Sequence, residues 1–173
     1  MAVEMAAQLT LIADLSRVTS RRSQLPHGFK LGMAHPDQIE ALGALYFAAY
    51  PPGEACAALE EAIEDTTASF EGEYGELWPE ASPIVLFDGE IVAALFTVKR
   101  APWEDTPDCP FIIELFTSRA HRRKRLARYL VQECASVLLD AGEQQIALRV
   151  IDANAAAVSL YTSLGFHINN ASQ

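Results

Sequence analysis

The sequence predicts one α/β domain in which helices flank a mixed central sheet. Half of its 173 residues are hydrophobic, enough for one full core, and no internal repeat is visible. Two apolar runs on either side of Asp88-Gly89 predict an antiparallel hairpin, because Asp-Gly favours a tight turn between paired strands. Later in the chain strand and helix patterns alternate, which predicts a right-handed parallel crossover. The sheet should therefore contain both kinds of strand pairing.

The N-terminal half should supply a helical extension and then the first helices and strands of the domain. Apolar residues recur at helical spacing over the first segment, at Met5, Leu9, Ile12 and Leu15. We therefore expect a helix from Glu4 to Val18, within an extension over residues 1–27 that precedes a domain over 28–173. The predicted elements that follow are a strand at Gly28 to Ala34, helices at Pro36 to Ala49 and Glu54 to Phe70, hairpin strands at Ser82 to Phe87 and Ile91 to Lys99, and a loop at Ala101 to Pro110.

The C-terminal half has clearer patterns. Phe111 to Thr117 is an apolar strand pattern, and a helix with one apolar face follows it as far as Gly142, a suitable C-terminal cap. The next strand alternates apolar and other residues around Leu148. Asn154 is a preferred N-cap residue for the last helix, and Gly165 is placed to end it.

Cations are concentrated where the Phe111 to Thr117 strand gives way to the following helix. Amides at a helix start lack partners and carry partial positive charge, so an anion is favoured there. Six of the thirteen basic residues surround this turn: Arg119, Arg122, Arg123, Lys124, Arg125 and Arg128. The sequence therefore predicts an anion site.

The net charge of -10 is unevenly distributed along the chain. From Leu31 to Val98 there are many Asp and Glu residues but no Lys or Arg. This segment is either a wall that attracts a cationic ligand or a solvated acidic surface.

Other sequence features exclude several functions. No basic signal-peptide start or apolar membrane span is visible, so we expect a cytoplasmic protein with no membrane partner. The three cysteines, Cys56, Cys109 and Cys134, are typical of buried thiols in a reducing compartment. The four histidines lack the spacing of metal ligands, so no metal site is expected at His27, His35, His121 or His167.

Two motifs in the second half resemble those of the GNAT acetyltransferase superfamily. The turn His121-Arg-Arg-Lys-Arg-Leu-Ala127 resembles the family's (R/Q)-x-x-G-x-(G/A) pattern. The second and more specific motif is Leu148-x-Val150-x3-Asn154-x2-Ala157-x2-Leu160-Tyr161-x2-Leu164-Gly165-Phe166. The chain departs from the family at Arg125, where Gly is usual. Only seven residues follow Phe166, so the sheet should close with a stub or with a neighbour's strand.

The resemblance implies transfer of an acetyl group from acetyl-CoA to a primary amine in a direct ternary complex. The acceptor would be cationic if the acidic segment forms its wall, and either a small molecule or a peptide. The strand backbone would pair with the pantetheine arm, and its parallel neighbour would separate from it near Thr117. The implied cofactor-binding residues are Leu115, Phe116, Thr117, Arg122, Arg123, Lys124, Arg125, Leu126, Ala127, Arg128, Asn154 and Tyr161.

Three residues have two interpretations each. Tyr161 would protonate the leaving sulfur, or is a half-buried core aromatic. Glu114, inside an apolar strand, would be the general base, or an ordinary residue on the solvent face. Asn154 is a helix cap, a CoA ligand, or both.

Two alternatives to the enzyme remain. One is a catalytically weak acyl-CoA-binding module, suggested by Arg125 and the short C-terminus. The other is a nucleic-acid contact at the basic turn, which the overall acidity and the absence of interleaved aromatic residues disfavour. A homodimer is one open oligomeric state, and the acceptor is not identified.

Overall fold

The computed structural model describes residues 6–170, which form a seven-stranded sheet with helices on both faces. The strands are β1 (Gln8–Asp14), β2 (Phe29–Met33), β3 (Pro83–Phe87), β4 (Glu90–Val98), β5 (Phe111–Thr117), β6 (Gln145–Ile151) and β7 (His167–Ile168). The α-helices are α1 (Leu15–Val18), α2 (Ile39–Ala49), α3 (Leu59–Glu71), α4 (Leu126–Asp140) and α5 (Ala155–Ser163).

The sheet is mixed, as the sequence predicts, with the strand order β2-β3-β4-β5-β6-β1-β7. Among the strands of residues 6–170 only β5 and β6 pair in parallel, and the crossover between them is α4. The predicted hairpin joins β3 to β4 through Asp88 and Gly89, whose φ angles are 51° and 80°. Two positive φ angles in succession are typical of the turn type whose twist matches paired strands.

The predicted N-terminal helix is wrong over β1, and Met5 lies outside the described residues. Leu9 to Ala13 lie in a strand that pairs antiparallel with the whole of β6, and the short helix α1 begins only at Leu15. Leu11, Ile12 and Ala13 are all buried, so both faces of this strand are covered. The apolar residues fitted a helical period by spacing alone, but pairing with β6 decides the structure of this segment.

Within residues 6–170 the sheet ends with a stub, one of the two closures expected from the sequence. β7 has two residues, and it pairs antiparallel with β1 at Leu11 and Ile12. β1 therefore lies between β6 and β7, so the outer edge of β6 is covered by the chain's own N-terminal strand.

Two cores fill the faces of the sheet. On one face, α1, α4 and α5 pack around Leu130, Cys134 and Leu148. On the other, α2 and α3 pack around Leu42 and Phe96. The helix predicted from Glu54 begins later, at Leu59, and ends at Gly72, where φ is 88°.

The cysteines agree with the expectation of buried thiols. All three cysteines are free and buried. Among residues 6–170, no helix combines the length and the apolar composition that crossing a membrane would require, and no group of three potential ligand residues is placed to hold a metal ion.

Candidate active site

The parallel strands β5 and β6 separate soon after they meet. They are paired only at Phe111 with Ala147 and at Ile112 with Leu148. Phe96 of β4 pairs with Glu114, whereas Thr97 pairs with Ile112, so Ile113 is an extra residue in β5. Such a bulge bends and twists its strand, which explains why the strands part here and not near Thr117, as the sequence predicted. The backbone from Ile113 to Thr117 is left without a strand on its β6 side.

A cavity of about 600 Å³ lies at the carboxyl end of β5, over the start of α4. Every predicted cofactor-binding residue except Lys124 lines it: Leu115, Phe116, Thr117, Arg122, Arg123, Arg125, Leu126, Ala127, Arg128, Asn154 and Tyr161. The Lys124 ammonium lies instead over the ring of Phe29, 5.4 Å from its centre. We refer to this space as the basic cavity.

The charge and backbone of the basic cavity suit a phosphate group. Four arginines and no carboxylate line it, and the N-terminus of α4 begins at its wall. Arg125, the N-cap residue of α4, has φ 61° and ψ 26°. This is the left-handed conformation that Gly adopts without cost, so the backbone keeps its course although the residue is Arg. A Gly at this position would adopt the same backbone conformation without strain.

Two of the arginines also join the walls of the basic cavity to each other. Arg122 donates a hydrogen bond to the carbonyl of Ala49, at the end of α2. Arg128 donates to the hydroxyl of Ser163, at the end of α5. The first bond links α2 to the turn before α4, and the second links α5 to the first turn of α4, so the two side chains have a structural role besides their charge.

A second, smaller cavity of about 210 Å³ meets the first at the gap between β5 and β6. The two cavities share five lining residues: Tyr50, Leu115, Asn154, Ala157 and Tyr161. The second cavity alone is lined by Glu114 and Arg149. We refer to it as the Glu114 cavity. Two molecules bound in the two cavities would meet at Tyr161 and the open edge of β5.

Glu114 is a carboxyl group that is hard to ionise. Burial raises its pKa to about 8, and the negative charge of Asp65 adds to the rise, whereas a hydrogen bond from Tyr46 opposes it. A carboxylate with a pKa near neutrality can both take up and release a proton at physiological pH. Glu114 is half-buried and lines a cavity, so it is not an exposed residue of the solvent face.

Tyr161 is a buried core aromatic residue that also lines both cavities. Its side chain is 7% exposed and packs against Phe166, with ring centres 5.5 Å apart. Burial, with the nearby charge of Glu114, raises its pKa above the usual range, so the hydroxyl remains protonated. That hydroxyl makes no hydrogen bond within residues 6–170 and lies at the junction of the two cavities.

Asn154 is a helix cap, and it also lines both cavities. Its side-chain oxygen accepts a hydrogen bond from the Ala157 amide at 3.2 Å, as expected of an N-cap residue of α5. The same side chain faces the space where the cavities meet. The two sequence interpretations of this residue are therefore compatible.

The acidic segment from Leu31 to Val98 does not form a wall of either cavity. None of its Asp or Glu residues lines the basic cavity or the Glu114 cavity. Asp65 acts on Glu114 only through its charge, and it accepts a hydrogen bond of 2.5 Å from the Tyr74 hydroxyl. Its effect on a ligand in these cavities would therefore be long-range.

Several residues of the site were not found from the sequence. Tyr46 and Tyr50 lie on and just after α2, His121 lines the basic cavity, and Arg149 lines the Glu114 cavity. Tyr50 and Arg149 come next to the gap only through sheet register and helix packing, which leave no local pattern. His121 lies inside the first motif, and that position was the one available signal.

Comparisons with known proteins agree with this geometry. No curated protein sequence matches the chain significantly. Solved structures do, at a sequence identity that shows the fold alone. A GCN5-related N-acetyltransferase from Sphaerobacter thermophilus superposes with a TM-score of 0.70 at 19% identity, covering 94% of this chain and 48% of the other. A tandem GNAT protein from the clavulanic acid biosynthesis pathway gives 0.70 at 14% identity, covering 95% and 51%.

A shorter relative is covered almost completely. The aminoglycoside acetyltransferase AAC(6')-Iy, solved with a bisubstrate analogue of CoA and acetylneamine, gives a TM-score of 0.60 at 15% identity, covering 80% of this chain and 90% of the other. By contrast, the chain spans about half the length of the Sphaerobacter thermophilus protein and of the tandem GNAT protein. Residues 40–166, most of the chain, match the sequence pattern of the acetyltransferase (GNAT) family. The chain therefore belongs to the GNAT acetyltransferase family.

Proposed function

We propose that the chain is an acetyl-CoA-dependent N-acetyltransferase that acts on a primary amine in a direct ternary complex. The observation that carries this proposal is the meeting of two unlike cavities at the gap between β5 and β6. One is lined by four arginines and no carboxylate, and the other contains a carboxyl group with a raised pKa. An anionic donor and an amine acceptor would thus be held side by side.

The residues of the basic cavity fit the CoA part of the donor. The pyrophosphate would lie against the amides that precede α4 and the side chains of Arg123, Arg125 and Arg128. The pantetheine arm would extend along the open edge of β5, where Leu115 to Thr117 have no partner strand on the β6 side. An unpaired amide of this edge would polarise the thioester carbonyl.

The chemical step needs a base and an acid, and the chain offers one of each. Acetyl-CoA supplies the acetyl group as a thioester, whose C–S bond breaks as the C–N bond to the amine forms. Glu114 accepts a proton from the ammonium form of the acceptor, which frees the nitrogen lone pair for attack. Tyr161 donates its proton to the leaving sulfur and regains one from the acylated nitrogen.

Direct transfer is favoured over a covalent acyl-enzyme. Neither cavity is lined by a cysteine or a serine. Cys56, near Tyr46, has a pKa raised by burial, which reduces the nucleophilic thiolate form. The cavity walls therefore offer neither a thiol nor a serine hydroxyl to carry the acetyl group.

The test is amine-dependent release of CoA thiol, with the acetylated amine identified by mass spectrometry. The acceptors should include small neutral amines, amino acids, polyamines such as putrescine, and an aminoglycoside, since the overall negative charge attracts cations over long range. We expect amine-dependent release that Glu114→Gln and Tyr161→Phe abolish or strongly reduce. Tight binding of acetyl-CoA without transfer to any amine would contradict the enzyme and favour the acyl-CoA-binding module.

A further inference from the structure

We propose that the acceptor carries an anionic group, a carboxylate in the first instance, a few bonds from its amine, and that Arg149 binds this group. The inference rests on the proposed function, because it assumes that the Glu114 cavity holds the acceptor. It goes beyond that function by assigning a substrate class, amines of the amino acid type, and a specificity residue.

Arg149 faces the acceptor side of the sheet. Its neighbours Leu148 and Val150 belong to the core beneath α4, whereas Ala147 belongs to a cluster on the opposite face with Phe111. Because side chains alternate along a strand, Arg149 shares the face of Ala147. Glu114 lies on the same face, next to Tyr46 and Asp65. Both side chains line the Glu114 cavity.

The Arg149 side chain is held in place but is not neutralised. Its guanidinium carbon lies 5.3 Å from the centre of the Trp103 ring, and the Trp103 ring packs against Phe111 at 5.9 Å. Its Nε donates a long hydrogen bond of 3.5 Å to the Thr10 hydroxyl, across the β1–β6 pair. Within residues 6–170 it has no ion pair and no other hydrogen bond.

The missing ion pair is notable because carboxylates are close along the chain. The loop that holds Trp103 also carries Glu104, Asp105 and Asp108. Asp108 pairs with Arg100 at 2.7 Å, and neither of the other two pairs with Arg149. The cation–π contact with Trp103 restricts the side chain while its terminal N–H groups remain available. A planar fork of donors matches a carboxylate.

The spacing of Glu114 and Arg149 suits a small acceptor. Because Ile113 is the extra residue of the bulge, Glu114 lies only one register position beyond the pair Ile112–Leu148, and so does Arg149. The two residues are therefore about level along the strands and are separated across the gap by at least about 4.8 Å. A cavity of about 210 Å³ between them accommodates an amine near Glu114 and a carboxylate near Arg149 in one small molecule.

The experiment compares acceptors that differ only in the anionic group. Glycine, alanine and leucine are each paired with their amides, and phosphoethanolamine and putrescine are added as phosphate-bearing and purely cationic amines. For the unchanged chain we expect kcat/KM to be roughly 10- to 100-fold higher for the acid than for its amide, because the amide cannot form the charged hydrogen bonds with Arg149. Preference for phosphoethanolamine would identify the anionic group as phosphate.

Variants assign the preference to Arg149. Arg149→Gln should reduce the acid-to-amide ratio to about one while turnover of the amides is kept, and Arg149→Lys should restore part of the ratio. Arg21→Gln, which removes an exposed cation whose side chain has no partner in residues 6–170, should leave the ratio unchanged. Equal or better use of the amides or putrescine by the unchanged chain, or a ratio that survives Arg149→Gln, would overturn the inference but not the acetyltransferase.

Direct binding separates this inference from the catalytic proposal. Calorimetry with N-acetylglycine and N-acetylalanine measures binding of the carboxylate without any transfer. Arg149-dependent binding together with no transfer to any amine would contradict the catalytic proposal and support the anion site. Binding of neither compound, together with a failure of the acid-to-amide preference, would overturn the anion site.

Discussion

Glu114→Gln should make the chain more stable and nearly inactive. The Glu114 pKa rises from 4.5 to about 8 on folding, so the folded chain holds this proton more tightly than the unfolded chain. The unfolded state therefore binds fewer protons between these two values, and the free energy of unfolding falls as pH rises. With 1.36 kcal/mol per pKa unit, the loss between pH 5 and pH 8 is about 3 kcal/mol. Gln has no charged form, so the variant lacks this loss.

The assay is thermal unfolding of both proteins at pH 5, 6, 7 and 8. For a domain of this length about 3 kcal/mol corresponds to roughly 6–12 °C, so the gap in Tm should widen by that amount from pH 5 to pH 8. Over the same range kcat/KM of the unchanged chain should rise with pH, with an apparent pKa of about 8. The kcat/KM of the variant should be lower by roughly 10²–10⁴. A pH-independent gap in Tm would refute the raised pKa. A widening gap with full activity in the variant would remove Glu114 from the mechanism.

Three further substitutions test the remaining parts of the site. Tyr161→Phe should lower kcat by roughly 10²–10⁴, because proton donation to the leaving sulfur is lost. The affinity for acetyl-CoA, measured by calorimetry, should be nearly unchanged. A loss of affinity as large as the loss of kcat would make the role of Tyr161 structural. Arg125→Gly should raise the free energy of unfolding in urea by about 1 kcal/mol, because φ of Arg125 is 61° and Gly adopts this conformation without strain. The control Arg119→Gly should lower the free energy of unfolding, because φ of Arg119 is not positive. Equal effects of the two substitutions would contradict the strain argument. Arg122→Ala should weaken acetyl-CoA binding, and the salt dependence of that binding, more than Lys124→Ala does, because Arg122 lines the basic cavity and Lys124 does not. Equal losses of affinity in the two variants would show that charge alone matters.

Much of the fold could be predicted from local patterns. Asp88-Gly89 fixed a hairpin because its φ angles suit few other residues, and Gly72 ended a helix for the same reason. The N-terminal segment could not be predicted in this way. Leu9, Ile12 and Leu15 fit a helix in isolation, and only the open edge of β6, a property of the folded sheet, selects the strand.

The same division holds for the site. The basic cavity was predictable because its lining comes mainly from the segment over residues 115–128 and from residues 154–161 of the second motif. The environment of Glu114 was not, because Tyr46 and Asp65 reach it from α2 and α3. A carboxylate within an apolar strand indicated an unusual position, but its pKa depends on neighbours that are distant in sequence.

The N-terminal strand connects these two failures of prediction. β1 covers the outer edge of β6 along its whole length, with Thr10 opposite Arg149. It thereby holds β6 in the sheet, although β6 pairs with β5 at only two positions. The gap between β5 and β6 can then remain open, because the backbone of β6 forms hydrogen bonds with β1 along its opposite edge. A segment that the sequence assigns to an extension is thus part of the structure that shapes the Glu114 cavity.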